Sequence, residues 1–212
     1  RSGIPAEGVA SLPIALAKRI KDLRLNTRVE QIRGGVVSTN DGDFVAKKII
    51  LATDLTTAGQ LLEANEVTPF LSATTWYHTT SNSPSDQAQL VIDSQNRGPV
   101  VNSIVISNLS HKYAPLGQSL ISSTTISHAS ESEVRRHLAL MWGVSTSTWR
   151  FLAKYEINSA LPLFQPGHVK TSPVSLIKNV YCAGDYLESP SQNGALLSER
   201  KAAEQLLIDQ RS

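Results

Sequence analysis

The stretch Asn179–Leu207, NVYCAGDYLESPSQNGALLSERKAAEQLL, decides how the rest of the chain is read. Val180, Tyr181, Cys182 and Ala183 form a short apolar run of the kind a buried strand uses, and Gly184-Asp185 ends it with a turn. The strand therefore delivers a carboxylate to its own tip. A polar loop of Ser, Pro and Asn follows, and Gly194-Ala195 opens a helix whose apolar positions Leu196, Ala203 and Leu207 recur at helical spacing. A helix N-terminus presents unpaired backbone N–H groups and the positive end of a dipole, so it favours a ligand atom that carries or develops negative charge. Gly194, Ala195, Ser198 and Ala202 keep one face of the first turns small, which lets either a ligand or a neighbouring strand lie close. A carboxylate such as Asp185 can accept hydrogen bonds from sugar-like hydroxyls, as acidic residues do for a ribose. By spacing alone, ordinary strand-to-helix packing with a solvated Asp accounts for the same residues.

The order of these residues resembles the C-terminal flavin-binding motif of the flavin-containing amine oxidase, protoporphyrinogen oxidase and phytoene desaturase superfamily. That motif runs apolar strand, Ala-Gly-Asp, short loop, Gly-Ala, a small residue, Arg, Ala-Ala. Here the matching positions are Ala183-Gly184-Asp185, Gly194-Ala195, Ser198, Arg200 and Ala202-Ala203. The resemblance implies an FAD cofactor, with Asp185 on its ribityl chain and the backbone N–H groups near Gln192 and Asn193 facing the flavin pyrimidine edge. Reduction places negative charge on that edge, which a helix N-terminus stabilises. Glu199 departs from the pattern, which usually has Gly there.

Composition sets the outer limits. A chain of 212 residues with 41% hydrophobic and 18% charged residues is globular and long enough for one or two domains. The net charge of +2 is spread without a basic stripe, so nucleic acid is not expected as a partner. The one cysteine gives neither an internal disulfide nor a zinc cluster, and Cys182 in its apolar run reads as a core residue. A cytoplasmic location is therefore expected. No apolar run is long enough to span a bilayer and no signal peptide is visible. The five histidines show no metal-ligand spacing, so no metal is expected, and no G-x-S-x-G elbow supports a hydrolase. The sequence begins at Arg1, its only methionine is Met141, and none of its 12 glycines forms a G-x-G-x-x-G turn. The chain is therefore expected to be a C-terminal portion that, alone, neither holds FAD nor catalyses.

In chain order, Ser11 and Pro13 start a helix whose Leu12, Leu16, Ile20 and Leu23 form an apolar stripe expected to face a core. Residues 26–53 read as a small meander turning at Gly34-Gly35 and Asn40-Asp41-Gly42 and ending in Ile49-Ile50-Leu51-Ala52. The superfamily has a strand Val that meets the adenine through its backbone and an Ile-Leu-Ala-Thr run returning towards the cofactor. By that resemblance Val29, Ala52 and Thr53 are cofactor-binding, beside Gly184, Asp185, Gln192, Asn193, Gly194 and Ala195. Asp54 caps a helix with Leu55, Leu61 and Leu62 inward. Strands of a second sheet follow at 74–80, 88–93, 100–107 and 119–126, then a helix with a Ser130/Glu133 capping box and a Val134, Leu138, Trp142 stripe. The 158–168 stretch, with Leu161-Pro162-Leu163-Phe164 and Gly167-His168, resembles the segment preceding the final flavin motif in protoporphyrinogen oxidases. Without the resemblance it reads as a proline-bounded crossover.

The expected fold class is α+β. Residues 1–58 and 174–212 are expected to be the C-terminal part of an FAD-binding α/β domain whose first Rossmann βαβ unit is missing. Residues 59–173 are expected to be a substrate domain with a mixed or antiparallel sheet and helices on one face. The implied activity is hydride transfer from an organic substrate to flavin. Amine oxidases of the superfamily hold their amine between two tyrosines, and the corresponding places here are Ser191 and the Leu163-Phe164 pair. Those three residues are expected to lie near the substrate, and an apolar ring or polyene suits them better than a small cation. A flavin-dependent isomerase and a non-catalytic binding module of the same fold are the alternatives. Apolar surface left by the absent strands is expected to be covered by a second copy in a homodimer.

Overall fold

The computed structural model describes residues 3–63, 69–167 and 177–211; His168 and the 64–68 segment lie outside them. The elements are α1 (Ser11–Ala17), β1 (Val29–Arg33), β2 (Val36–Thr39), β3 (Gly42–Val45), β4 (Ile49–Leu51), α2 (Leu55–Leu61) and β5 (Phe70–Thr80). They continue with β6 (Leu90–Ile92), β7 (Val100–Val105), β8 (Ser119–Thr125), α3 (Glu131–Trp142), β9 (Arg150–Pro162), β10 (Val180–Cys182) and α4 (Gln192–Asp209). The fold is mixed α+β. It divides into two compact units, one of residues Arg1–Leu23 and Ser72–Asn158, the other of Arg24–Leu71 and Ser159–Ser212. These bounds differ from those expected from sequence: the first 23 residues pack with the 72–158 unit, and Leu163 and Phe164 fall outside it.

The first unit is built on a five-stranded sheet of order β6-β7-β8-β5-β9, whose β6–β7, β7–β8 and β5–β8 pairs are antiparallel. Alternation along β8 sends Ile121, Ser123 and Thr125 to the face covered by α3, and all three are fully buried. Helix α3 supplies Val134 and Leu138 to the same core, with Trp76, Val100, Val105 and Trp149. Each such side chain adds about 1.5–3 kcal/mol relative to exposure. Ser130 caps α3 with the full reciprocal box to Glu133, as its spacing predicts. The hydroxyls buried under the helix are all used: Trp142 Nε1 donates to Ser103 Oγ at 3.0 Å, Ser103 and Ser123 share a bond at 3.0 Å, and Trp76 Nε1 donates to Thr125 Oγ1 at 3.1 Å.

Helix α1 departs from expectation. It ends at Ala17, and Leu12, Leu16, Ile20 and Leu23 are 47–53% exposed, so none of the stripe enters a core of the described residues. What fixes this segment is polar: Tyr113 Oη donates to Pro5 O at 2.8 Å, Ser110 Oγ donates to Ala6 O at 3.0 Å, and Lys112 pairs with Glu7. Helical spacing shows which residues share a face, but not that the chain holds anything to cover it.

A buried ion cluster ties the β6–β7 turn to α3. Asp93, 1% exposed at its side chain, accepts from Arg97 N–H at 2.6 Å and Arg97 Nε at 2.9 Å, and lies 3.1 Å from His137 Nε2. His137 Nδ1 accepts from Val100 N–H at 3.1 Å, so that nitrogen carries no proton. Gly98 lets the turn lie flat on that ring, since a Cβ there would meet His137 Cγ at 2.5 Å. Burial pushes the Asp93 carboxyl up, but the Arg97 and Gln95 hydrogen bonds outweigh it and hold the group below its ordinary 3.8. A depressed folded pKa stabilises at pH above the unfolded value and loses that stabilisation as pH falls through the folded one. The first unit is therefore expected to weaken below about pH 3.8, and Asp93→Asn to flatten this part of the acid limb in urea titrations. An unchanged acid limb in Asp93→Asn would count against the cluster.

The second unit holds a meander, order β1-β2-β3, antiparallel and in the register Ile32↔Val37 and Val37↔Phe44. Gly34 and Gly35 both have positive φ, as a two-residue hairpin turn requires. Strands β4 and β10 form a separate parallel pair, Val180↔Ile49 to Cys182↔Leu51. Their core is Ile32, Leu51, Ala58, Leu61, Val180, Cys182, Tyr186 and Leu187. Burial raises both the Cys182 thiol and the Tyr186 phenol, so both stay neutral at physiological pH. Among the described residues no helix is long and apolar enough to cross a membrane.

Candidate functional site

Parallel strands end together, so β4 and β10 deliver their C-terminal residues to one edge: Ala52-Thr53-Asp54 from the first and Ala183-Gly184-Asp185 from the second. Ligands of open α/β sheets gather at such strand ends. Asp54 is spent locally. It caps α2 by accepting from Thr57 N–H at 3.0 Å and Thr57 Oγ1 at 2.6 Å, and the Thr57 bonds hold its carboxyl below the usual range. Asp185 is not spent. It opens a 3-10 turn, Asp185–Leu187, is half-buried, and its carboxylate makes no hydrogen bond or ion pair among the described residues.

Helix α4 follows and packs on that turn. It begins at Gln192, two residues earlier than Gly194-Ala195 suggest, because Ser191 is its cap: Ser191 Oγ accepts from Gly194 N–H at 3.1 Å and its carbonyl from Ala195 N–H at 3.0 Å. The third and fourth donors of the helix are thereby satisfied. The first two, the N–H groups of Gln192 and Asn193, have no partner among the described residues and stand in exposed positions. An 18-residue helix thus offers an anion-stabilising donor pair at its free end, next in the chain to a loop that starts from an unpartnered carboxylate.

The small face of α4 has its neighbour in the protein itself. Gly194, Ser198 and Ala202 are buried, with Ala202 against Tyr181 and Ala183 of the β10 strand end. Leu196 and Leu207, apolar positions at helical spacing, are 48% and 53% exposed. The reason is distance: only small residues let the helix lie this close to a strand. The far end of the helix is fastened by Tyr181 Oη donating to Asp209 Oδ2 at 2.6 Å and by Lys48 Nζ donating to Tyr181 Oη at 3.2 Å.

Every candidate cofactor- or substrate-site residue named from sequence lies in the second unit. Val29 is half-buried against the same core and belongs to β1, an edge strand, so alternate peptide groups along it face away from β2. Ala52 is exposed and Thr53 half-buried. Leu163 and Phe164 are half-buried just past β9, and Leu163 N–H donates to Pro69 O at 2.9 Å. Ser191 has its hydroxyl engaged as the helix cap. Sequence reasoning missed Glu188, 6% exposed and paired with Lys201; a Glu four residues before the Gln192 helix start was the available signal. Among the described residues no group of His, Cys, Asp and Glu could hold a metal ion.

The sequence profile of flavin containing amine oxidoreductases matches residues 1–207. Among solved structures, the chain is similar to a protoporphyrinogen oxidase-like protein from Exiguobacterium sp. 255-15, at 16% identity and TM-score 0.76, covering 95% of this chain and 51% of that one. It is also similar to an oxidoreductase from Methanosarcina mazei, at 10% identity and TM-score 0.68, covering 92% and 53%. A redesigned putrescine oxidase matches at 10% identity and TM-score 0.69, covering 96% and 53%. The chain spans about half the length of these structures. No curated protein matches it. With nearly its whole length inside one profile and its fold shared with these structures, the chain belongs to the family of flavin-containing amine oxidoreductases.

Proposed function

We propose that this chain supplies the flavin and adenine ends of an FAD site in an oxidoreductase that transfers a hydride from an apolar organic substrate to the cofactor. The observation that carries the reading is the pairing of two unused donors, Gln192 and Asn193 N–H, with an unused carboxylate, Asp185, on either side of one short loop. Asp185 accepts from ribityl hydroxyls. The α4 N-terminus faces the pyrimidine edge, where its donors and dipole favour the charge that builds up on reduction. Val29 meets the adenine through its backbone on the open edge of β1, and Ala52 and Thr53 line the strand end between. When bound, the flavin supplies the electron chemistry; the residues here bind, orient and polarise. The second unit acts as the cofactor part and the 72–158 unit as the substrate part. The 212 residues hold no G-x-G-x-x-G turn, so the pyrophosphate has no cradle among them and the chain alone is expected to retain FAD weakly.

The apolar substrate follows from Leu163 and Phe164 and from a Ser at 191 whose hydroxyl already caps a helix. A cation would find no aromatic cage in these residues. The test is anaerobic bleaching of the flavin in the complete gene product. Apolar rings or polyenes are expected to bleach it and common primary amines to leave it oxidised. Rapid bleaching by primary amines alone would refute the substrate class. Bound flavin that no candidate bleaches would favour an isomerase or a binding module.

A further inference from the structure

We propose that Ser198 and Lys201 are positioning residues that clasp the turn carrying Asp185 at both its ends, and so set that carboxylate against the donor pair of α4. The inference rests on the flavin-site reading above and goes beyond it by naming what holds the site's two halves in register. The turn is short: Leu187 N–H donates to Gly184 O at 3.2 Å and Glu188 N–H to Asp185 O at 3.1 Å. At its start, Gly184 N–H donates to Ser198 Oγ at 2.8 Å. At its finish, the Glu188 carboxylate, 5% exposed, pairs with Lys201 Nζ. Ser198 and Lys201 are three residues apart on α4, which places them one turn from each other on neighbouring parts of its surface.

Ser198 is 1% exposed, in a face otherwise made of Gly194 and Ala202. A hydroxyl there is unfavourable unless it is bonded, and alanine would fill the same space. It is bonded twice. Its proton goes to Ala195 O at 2.7 Å, which turns a lone pair onto the Gly184 amide. The bond therefore joins the first turns of α4 to the residue immediately before Asp185. Gly184 is needed for the same turn to close, since a Cβ on it would meet Tyr186 Cε1 at 2.2 Å. With both ends of the turn held, the polar side-chain groups left without a hydrogen-bond partner among the described residues are the half-buried Asp185 carboxylate and the buried Tyr186 hydroxyl.

A double-mutant cycle on FAD affinity tests this, with apoprotein of the complete gene product titrated with FAD. Ser198→Ala is expected to raise Kd about tenfold, which is about 1.4 kcal/mol. In an Asp185→Ala background the same change is expected to cost less than about twofold, because residues that act through one another are not additive. Ser198→Thr, which keeps the hydroxyl, is expected to restore most of the affinity. Lys201→Met is expected to follow Ser198→Ala with a smaller effect. If Ser198→Ala fails to fold, Ser198→Cys keeps the volume with a weak acceptor and takes its place in the cycle. Additive costs, or a lowered unfolding midpoint with unchanged Kd, would overturn the clasp. Loss of affinity in Asp185→Ala with additive Ser198→Ala rejects the clasp alone, whereas no loss in Asp185→Ala rejects the flavin-site reading and the clasp with it.

Discussion

Asp185→Ala is expected to strip the complete gene product of flavin while leaving its fold intact. The carboxylate stands at the tip of β10, half-buried, and takes no hydrogen bond or ion pair from the described residues. Its removal therefore breaks nothing that the folded chain uses, and the unfolding free energy should move by no more than about 0.5 kcal/mol. In the proposed site the carboxylate also accepts from ribityl hydroxyls, and those bonds would be lost. A hydrogen bond to a charged group contributes about 1.5–3 kcal/mol, so the FAD dissociation constant should rise roughly 10- to 150-fold. Asp185→Asn keeps an acceptor without the charge and should fall between the two. Flavin content per polypeptide, read from visible absorbance after gel filtration, measures the effect directly. Unaltered flavin content beside a collapsed thermal midpoint would make Asp185 a structural residue.

How far such a site can be read from sequence depends on the range of the interactions that build it. Local ones were legible. The Asp54 cap, the Ser130/Glu133 box and the Gly34-Gly35 hairpin turn each involve residues within four positions of each other, and all are present as read. The order of strand, Asp185, loop and helix was legible for the same reason. Burial was not, because it depends on what lies opposite. The Leu12, Leu16, Ile20, Leu23 stripe and the Leu196 and Leu207 positions have helical spacing and face outward, while the small residues of α4 take the buried face. Long-range polar pairs leave still less trace. Nothing in the spacing of Gly184 and Ser198, Glu188 and Lys201, or Asp93 and His137 announces that they meet, since each pairing depends on the fold. Two such pairs frame the candidate site, so the local order of its elements was readable and the long-range contacts that hold them together were not.

Two glycines in helices should respond to alanine with opposite sign. Gly59 lies inside α2 with open space where a Cβ would go, and alanine loses less backbone entropy in a helix, so Gly59→Ala should stabilise by about 0.5–1 kcal/mol. Gly194 lies in the first turn of α4 with ordinary helical conformation, and the same propensity gain applies to it. There, however, the new Cβ would fall 1.9 Å from Ser189 O and 2.8 Å from Ser189 N, both backbone atoms. The loop cannot step aside cheaply, because Ser191 N–H donates to Ser189 O and Ser191 in turn caps the helix through Gly194 N–H. Overpacking of this kind costs about 1–3 kcal/mol, and loss of the cap adds about 1 kcal/mol. Against a propensity gain near 1 kcal/mol, Gly194→Ala should destabilise by on the order of 1–3 kcal/mol. The same displacement moves the Gln192 and Asn193 donors, so retained flavin should fall along with stability. Urea midpoints of the two variants, measured side by side on the same preparation, check both signs. A Gly194→Ala protein as stable as the parent would mean that the loop does not pack on α4 as described, and with it would go the reason why Gly194 sits at the head of that helix.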